Sequence, residues 1–296
     1  MASAEAVPTR AVPTRVRLAG LGDEAAPDLA GQIGAVAELG WNGLELRTVG
    51  GTPVADLDED AFRRTADLLE SAGTSVVGVA SKIGDWSRPV TGDFAVDVRE
   101  LEILARRCAV LGTSLVRVMS YPSGGLDDPD WGRRARRRLR ELARRAEDHG
   151  LVLAHENCAG WAGDRADRML DLVTGIGSPA LRLLFDIGNG VAHGYPPLPM
   201  LREVVAHVVH VHVKDARAGA GGEVVFVPPG DGEARVAECL EVLFRNGYGG
   251  VLSIEPHVRL RPHLDSGTGD RDAFVECGRA LERLLARTAP TTGAGR

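Results

Sequence analysis

Leu181-Arg182-Leu183-Leu184-Phe185-Asp186, followed by Ile187-Gly188-Asn189, is the stretch that decides how this chain folds. The run is short, mostly apolar, and ends in a carboxylate ahead of a glycine turn. It lacks strict polar/apolar alternation, as a parallel strand buried on both faces does. Seven more runs share this character, at 16–21, 43–48, 75–81, 114–120, 151–156, 208–214 and 251–255. Helical stretches lie between and after them, at 28–39, 58–72, 94–111, 130–149, 165–174, 198–207, 234–246 and 270–285. Several open with Asp or Pro and close with glycine (Gly40, Gly73, Gly112, Gly150, Gly247), the cap chemistry helices need. Eight strand-then-helix units without a break in composition predict an α/β fold, a single (β/α)₈ barrel. An open doubly wound sheet is the alternative, but no GxGxxG follows the first strand.

The bulk composition agrees. The 296 residues exceed the about 250 of one α/β barrel, and the 44% hydrophobic fraction supplies a full core. Residues 1–14 are expected as a disordered leader, 15–287 as the barrel and 288–296 as a disordered tail. A net charge of −6 argues against a nucleic-acid surface. No apolar run approaches the roughly 20 residues of a membrane span. Cys108, Cys158, Cys239 and Cys277 are scattered without disulfide or CxxC spacing, so a reducing cytoplasm is expected. Basic residues are almost all arginine, and Lys82 and Lys214 are the only lysines, so a lysine carries more information than an arginine. The arginine run from Arg133 to Arg145 reads as the solvated side of a helix whose apolar face is Leu139, Leu142, Ala143 and Ala146.

Four segments end strand-like runs in residues able to bind a metal. They are His155-Glu156-Asn157, Phe185-Asp186-Ile187-Gly188-Asn189, His210-Val211-His212-Val213-Lys214-Asp215 and Ser253-Ile254-Glu255-Pro256-His257. In a parallel barrel all strands open their C-terminal ends on one face, about 5 Å apart, so consecutive ends converge. Glu156, Asp186, His212 and Glu255 form a hard-leaning set of three carboxylates and one imidazole. Mn²⁺, Mg²⁺ or Co²⁺ suit it better than a thiolate-loving metal. Carboxylates crowded together repel, and a cation removes that cost. A divalent-metal site at the C-terminal face of the strands is therefore expected.

These four segments, with Pro228-Pro229-Gly230-Asp231-Gly232-Glu233 and Gly40-Trp41-Asn42-Gly43-Leu44-Glu45-Leu46, resemble the xylose isomerase-like sugar phosphate isomerase/epimerase family. The resemblance runs roughly from Val16 to Leu285 and implies a TIM barrel with one divalent ion held by Glu156, Asp186, His212 and Glu255. Mn²⁺ is the ion it implies first, with Mg²⁺, Co²⁺ or Zn²⁺ as alternatives. In ketose epimerases of the family, the matches of Glu156 and Glu255 are also the acid/base pair. The implied activity is that of a metal-dependent isomerase or epimerase of carbohydrate metabolism. It would act on a small polyhydroxylated carbonyl compound through an enediolate. A proton beside a carbonyl is weakly acidic, so a Lewis acid is needed for the developing oxyanion. Carboxylates on opposite sides of a flat enediolate give inversion without either moving.

Further residues are expected at the substrate. Lys214, two residues after His212, points to the same side of the strand. Lys82 closes strand three. Arg217 lies near the position of a substrate-contacting arginine in the epimerases. Those enzymes carry a histidine three residues after the metal-binding Asp; here that place holds Asn189, with His193 further along the loop as the alternative. His257 is on the side of Glu255, Glu45 either binds substrate hydroxyls or pairs with Arg47, and Trp86 and Trp161 are expected as a wall for a sugar ring. His210 is expected inside its strand, and the turn 228–233 as scaffold.

A lyase resembling inosose dehydratase is the second reading, since it shares the first proton abstraction and then expels a hydroxyl. A DNA-repair barrel of the endonuclease IV type needs three zinc ions and more histidines, and strands three and four end in Ser81-Lys82 and Ser120-Tyr121 instead. A non-catalytic binding module would have no need of all four ligands. The expected partner is a small carbohydrate, with no nucleic acid and no membrane; a homo-oligomer is compatible with the chain.

Overall fold

The computed structural model describes residues 16–258 and 268–288. Eight strands form a closed barrel: β1 (Arg17–Leu21), β2 (Gly43–Leu46), β3 (Ser75–Ala80), β4 (Leu115–Ser120), β5 (Val152–Gly160), β6 (Leu181–Asp186), β7 (Val208–Val213) and β8 (Val251–Ile254). Each pairs in parallel with its sequence neighbours, and β1 closes the ring against β8, Gly20 opposite Ile254. The helices are α1 (Leu29–Glu38), α2 (Glu59–Ser71), α3 (Phe94–Leu111), α4 (Asp128–Asp148), α5 (Ala166–Ile176), α6 (Pro197–Val204), α7 (Val236–Arg245) and α8 (Arg271–Thr288). This is the (β/α)₈ TIM barrel that the strand-helix order predicts.

Local chemistry explains the element ends. Asp28, Asp58, Asp93 and Asp127 accept backbone N–H bonds at the first turns of α1, α2, α3 and α4, at 2.7–2.9 Å. Gly40, Gly73, Gly112, Gly150 and Gly247 all have left-handed φ of 64–79°. The strands' apolar side chains join those of the helices in one continuous core, with Leu44, Leu46, Leu153 and Leu183 fully buried. Burying such a side chain contributes roughly 1.5–3 kcal/mol. The α4 arginines are mostly solvated. Ala135, Leu139, Leu142, Ala143 and Ala146 face the barrel, while Arg133, Arg144 and Arg145 pair with acids of the helix itself.

Three features depart from the sequence expectation. β5 runs on to Gly160, a five-residue helix (Asn189–His193) follows β6, and the segment after β7 is an antiparallel hairpin, Asp215–Ala218 with Val224–Val227. A smaller hairpin, Thr48–Val49 with Thr52–Pro53, follows β2. The expected leader lies outside the described residues, as does the expected tail apart from Thr288, which completes α8. Among the described residues, no helix is long and apolar enough to cross a membrane.

Candidate metal centre at the open face of the barrel

The barrel brings the four expected ligands together. Asp186 ends β6, His212 lies opposite it in β7, and Ser253 of β8 lies opposite His212 on the other side. Glu156 in β5 and Glu255 just past β8 complete the arc. One ligand atom from each of the four residues falls within 4.8 Å of the others, and all four residues are buried. His212 Nδ1 stands 3.2 Å from Glu255 Oε2, 3.6 Å from Glu156 Oε1 and 3.8 Å from Asp186 Oδ2, yet makes no hydrogen bond.

The electrostatics are those of a cation site. Burial pushes the Asp186 carboxyl up to about 7; Lys214 opposes this, but the Glu255 and Glu156 carboxylates add to it. Burial works against ionised Glu255 as well, and there Lys214, His257 and His212 outweigh it and hold the carboxyl well below its usual range. Lys214 Nζ lies 2.8 Å from both Asp186 Oδ2 and Glu255 Oε2, supplying one positive charge to a cluster of three acids. A Cβ at Gly188 would collide with the Lys214 stem, so glycine there lets the lysine lie inward. The inward-facing lone pair of His212 and the hard oxygen set fit a divalent ion.

The supporting residues explain why the cluster holds its shape. Glu45, at 0% exposure, accepts from His212 Nε2 at 3.0 Å and His210 Nε2 at 2.8 Å. Burial alone would raise its carboxyl, but the two imidazoles hold it well below the usual range. A carboxylate on the far nitrogen fixes a ligating imidazole's tautomer and orientation. Glu45 therefore makes neither expected contact: it is sealed from substrate, and its partners are histidines rather than Arg47. Arg47 instead spans Asp23 (2.9 Å), Glu24 (2.8 Å) and Glu255 (3.2 Å). On the other side Arg117 lies 3.2 Å from Glu156. Asn157 ties β5 to β6 through both backbone groups of Asp186. Asp215, fully buried, accepts from the N–H groups of Ala216, Gly230, Gly232 and Ala234 at 2.9–3.1 Å, which anchors the turn 228–233 as scaffold.

A cavity of about 430 Å³ opens above the cluster. Of the four expected ligands, only Glu156 and Glu255 line it. Lys214, Asn189, His193, His257 and Trp86 line it too, together with Arg47, Arg117 and Phe226. Asn189 Nδ2 donates to Glu156 Oε1 at 3.2 Å, while His193 sits further out, 3.5 Å from Cys158 Sγ. Three expected residues stand elsewhere. Trp161 is buried under α4 and α5 between the guanidinium groups of Arg136 and Arg168, so it forms no wall of this cavity. Arg217 is exposed on the hairpin, away from the cavity lining. Lys82 lines a second, smaller cavity that adjoins this one. Arg47 and Arg117 were missed because arginine counts carried no weight in so arginine-rich a chain. The available signal was their position: Arg117 interrupts the apolar run of β4, and Arg47 follows that of β2, where a charge needs a partner.

The comparisons with known proteins agree with this geometry. A model of the xylose isomerase-like TIM barrel family matches residues 33–273. The 2-epi-5-epi-valiolone 7-phosphate 2-epimerase of an Actinoplanes species is 30% identical over 221 residues, 74% of this chain and 78% of its own length. An inosose dehydratase of Clostridium beijerinckii is 28% identical over 131 residues, 40% of this chain. The chain spans about two fifths of the length of such shorter-matching relatives, 44% for that dehydratase. In fold, it is like a xylose isomerase-like TIM barrel protein from Mycobacterium smegmatis solved in complex with magnesium. The TM-score is 0.69 at 19% identity, over 93% of this chain and 97% of that one. With four fifths of its length inside the matched span, this chain belongs to the xylose isomerase-like TIM barrel family.

Proposed function

We propose that this chain is a divalent-metal-dependent isomerase or epimerase of a small polyhydroxylated carbonyl compound. Glu156, Asp186, His212 and Glu255 would hold the ion, which as a Lewis acid would polarise the substrate carbonyl. The carrying observation is that Glu156 and Glu255 alone of the four line the cavity, each with an arginine on its flank. Burial works against both ionised carboxylates, but Arg117 and His212 hold Glu156 down and Lys214, His257 and His212 hold Glu255 down, which favours the form a proton acceptor needs. One glutamate takes the proton from the carbon next to the carbonyl, giving an enediolate. The other returns a proton from the opposite side, which inverts that carbon. Asn189 orients Glu156 through its amide. The ion read first is Mn²⁺; the magnesium held by the Mycobacterium smegmatis protein of the same fold makes Mg²⁺ the nearest alternative.

Dehydration is the second reading, favoured by Lys214. Its ammonium lines the cavity beside Glu255 and in this reading would protonate a departing hydroxyl. The test is metal analysis, then NMR in D₂O with ketoses, inososes and keto acids. Deuterium uptake with an altered stereocentre supports epimerisation, and loss of water supports the lyase. Glu156→Gln and Glu255→Gln are each expected to lower turnover by at least about 10²-fold. Turnover equal to that of the parent in both variants would refute the mechanism.

A further inference from the structure

We infer that the substrate carries an anionic substituent, a phosphate monoester or carboxylate, held away from the ion in a second chamber by Lys82 and Arg117. This rests on the reading that the cavity over Glu156 and Glu255 takes the substrate. A second cavity of about 270 Å³ adjoins the first, and Arg47, Trp86 and Arg117 line both. Its other polar lining is Lys82, Ser81, Thr48, Asp23 and Asp85.

The donor and acceptor inventory makes this chamber receptive to an anion. Asp23 Oδ2 already accepts from Arg47 Nε and Thr48 Oγ1, and its other oxygen is sealed from solvent. Asp85 Oδ1 accepts from both the N–H and the hydroxyl of Ser87. Arg47 spends its guanidinium on Asp23, Glu24 and Glu255. Two cations keep donors in reserve. Arg117 is 5% exposed and, among the described residues, bonds only Glu156, through Nη1. Among the same residues Lys82 Nζ pairs with Asp56 at 3.8 Å, and both side chains are solvated, 46% and 61% exposed. An exposed pair that long is worth little and yields readily to a better acceptor. A phosphate or carboxylate offers several strong acceptor oxygens for charge-assisted bonds. A neutral polyol would offer those cationic donors no anionic acceptor beyond Asp23, already bonded to Arg47, and Asp85, already bonded to Ser87.

The chamber also sets a length. Trp86 and Arg117 stand at the junction of the two cavities, so the anionic group lies at the far end of a substrate whose carbonyl faces Glu156 and Glu255. Small unsubstituted ketoses would fill the first cavity and leave the second to water.

The test is calorimetric titration of inorganic phosphate, and separately of acetate, into the Mg²⁺-loaded chain, its Lys82→Ala variant and the Lys82→Arg variant. Each is repeated after removal of the ion with EDTA. At least one anion is expected to bind saturably, about tenfold more weakly in Lys82→Ala, with recovery in Lys82→Arg and persistence without the ion. The anion that responds more strongly to Lys82→Ala names the substituent. Equal affinity in Lys82→Ala and the parent, absence of saturable binding, or binding that vanishes with the ion overturns the inference. Failure of the catalytic reading shows separately, as a chain that exchanges no substrate proton in D₂O while still binding the anion.

Discussion

Replacing Glu45 with glutamine tests how the metal centre is organised, because it changes one atom in a residue that no substrate reaches. Glu45 is fully buried and receives bonds from His212 and His210 at 3.0 and 2.8 Å. A glutamine of the same shape accepts from one imidazole and presents an N–H₂ donor to the other. Loss of a carboxylate behind a ligating histidine costs 10–100-fold in metal affinity, or about 1.4–2.7 kcal/mol. Folding is also weakened. Breaking a buried ion pair costs roughly 3–5 kcal/mol, and the retained hydrogen bond places this variant at the lower end of that range. The assay is competition for Mn²⁺ against a fluorescent chelator, alongside urea denaturation with and without the ion. Metal affinity within twofold of the parent, while His212→Ala abolishes binding, would show that Glu45 does not orient His212 and would refute the reasoning.

Two further outcomes follow from residues away from the cluster. Asp215→Asn keeps one acceptor oxygen against four backbone N–H groups, so it is expected to lose about 3 kcal/mol in urea denaturation with metal stoichiometry retained; an unchanged midpoint would exclude the anchoring role. Burial pushes the thiols of Cys108, Cys239 and Cys277 up to about 12, so at pH 8 only about one in ten thousand is thiolate. Ellman's reagent is expected to leave these three untouched in the folded chain and to react with all four cysteines in denaturant. Rapid release of two or more thiolate equivalents from the folded chain would contradict this packing.

The barrel and the clustering of the four candidate ligands were legible because each depends on a one-dimensional pattern, an apolar run ending in Glu, Asp or His. Their supports were not. Glu45 reaches His212 across 167 positions of sequence, and Arg47 reaches Glu255 across 208, so nothing local announces either bond. Trp161 shows the converse failure. It follows β5 in sequence as a cavity residue would, but it turns outward under α4, where the bare surface of Gly132 admits its ring. Arg217 was expected from its nearness to a substrate-contacting arginine of the ketose epimerases, and the hairpin that begins at Asp215 carries it to the surface. Lys214 was readable from strand periodicity, because a residue two past His212 shares its side.

The origin of the site's parts has a consequence for how the chain matures. Glu156, Asp186, His212 and Glu255 all come from the second four strands, whereas Glu45, Arg47 and Arg117 come from the first four. A fragment comprising β5 to β8 would carry the whole ligand set, with Lys214 as its only lysine and neither flanking arginine. A fragment comprising β1 to β4 would keep Arg47 on Asp23 and Glu24 but would carry Arg117 without Glu156 and Glu45 without its two histidines. Arg47–Glu255, Arg117–Glu156 and the bonds of Glu45 to His210 and His212 all cross between the halves, so neither half keeps the full set of pairings. A divalent ion taken up at these four residues with their full support would therefore report that the two halves have docked. Mixing the two separately produced halves would then restore both fold and metal uptake in a single step.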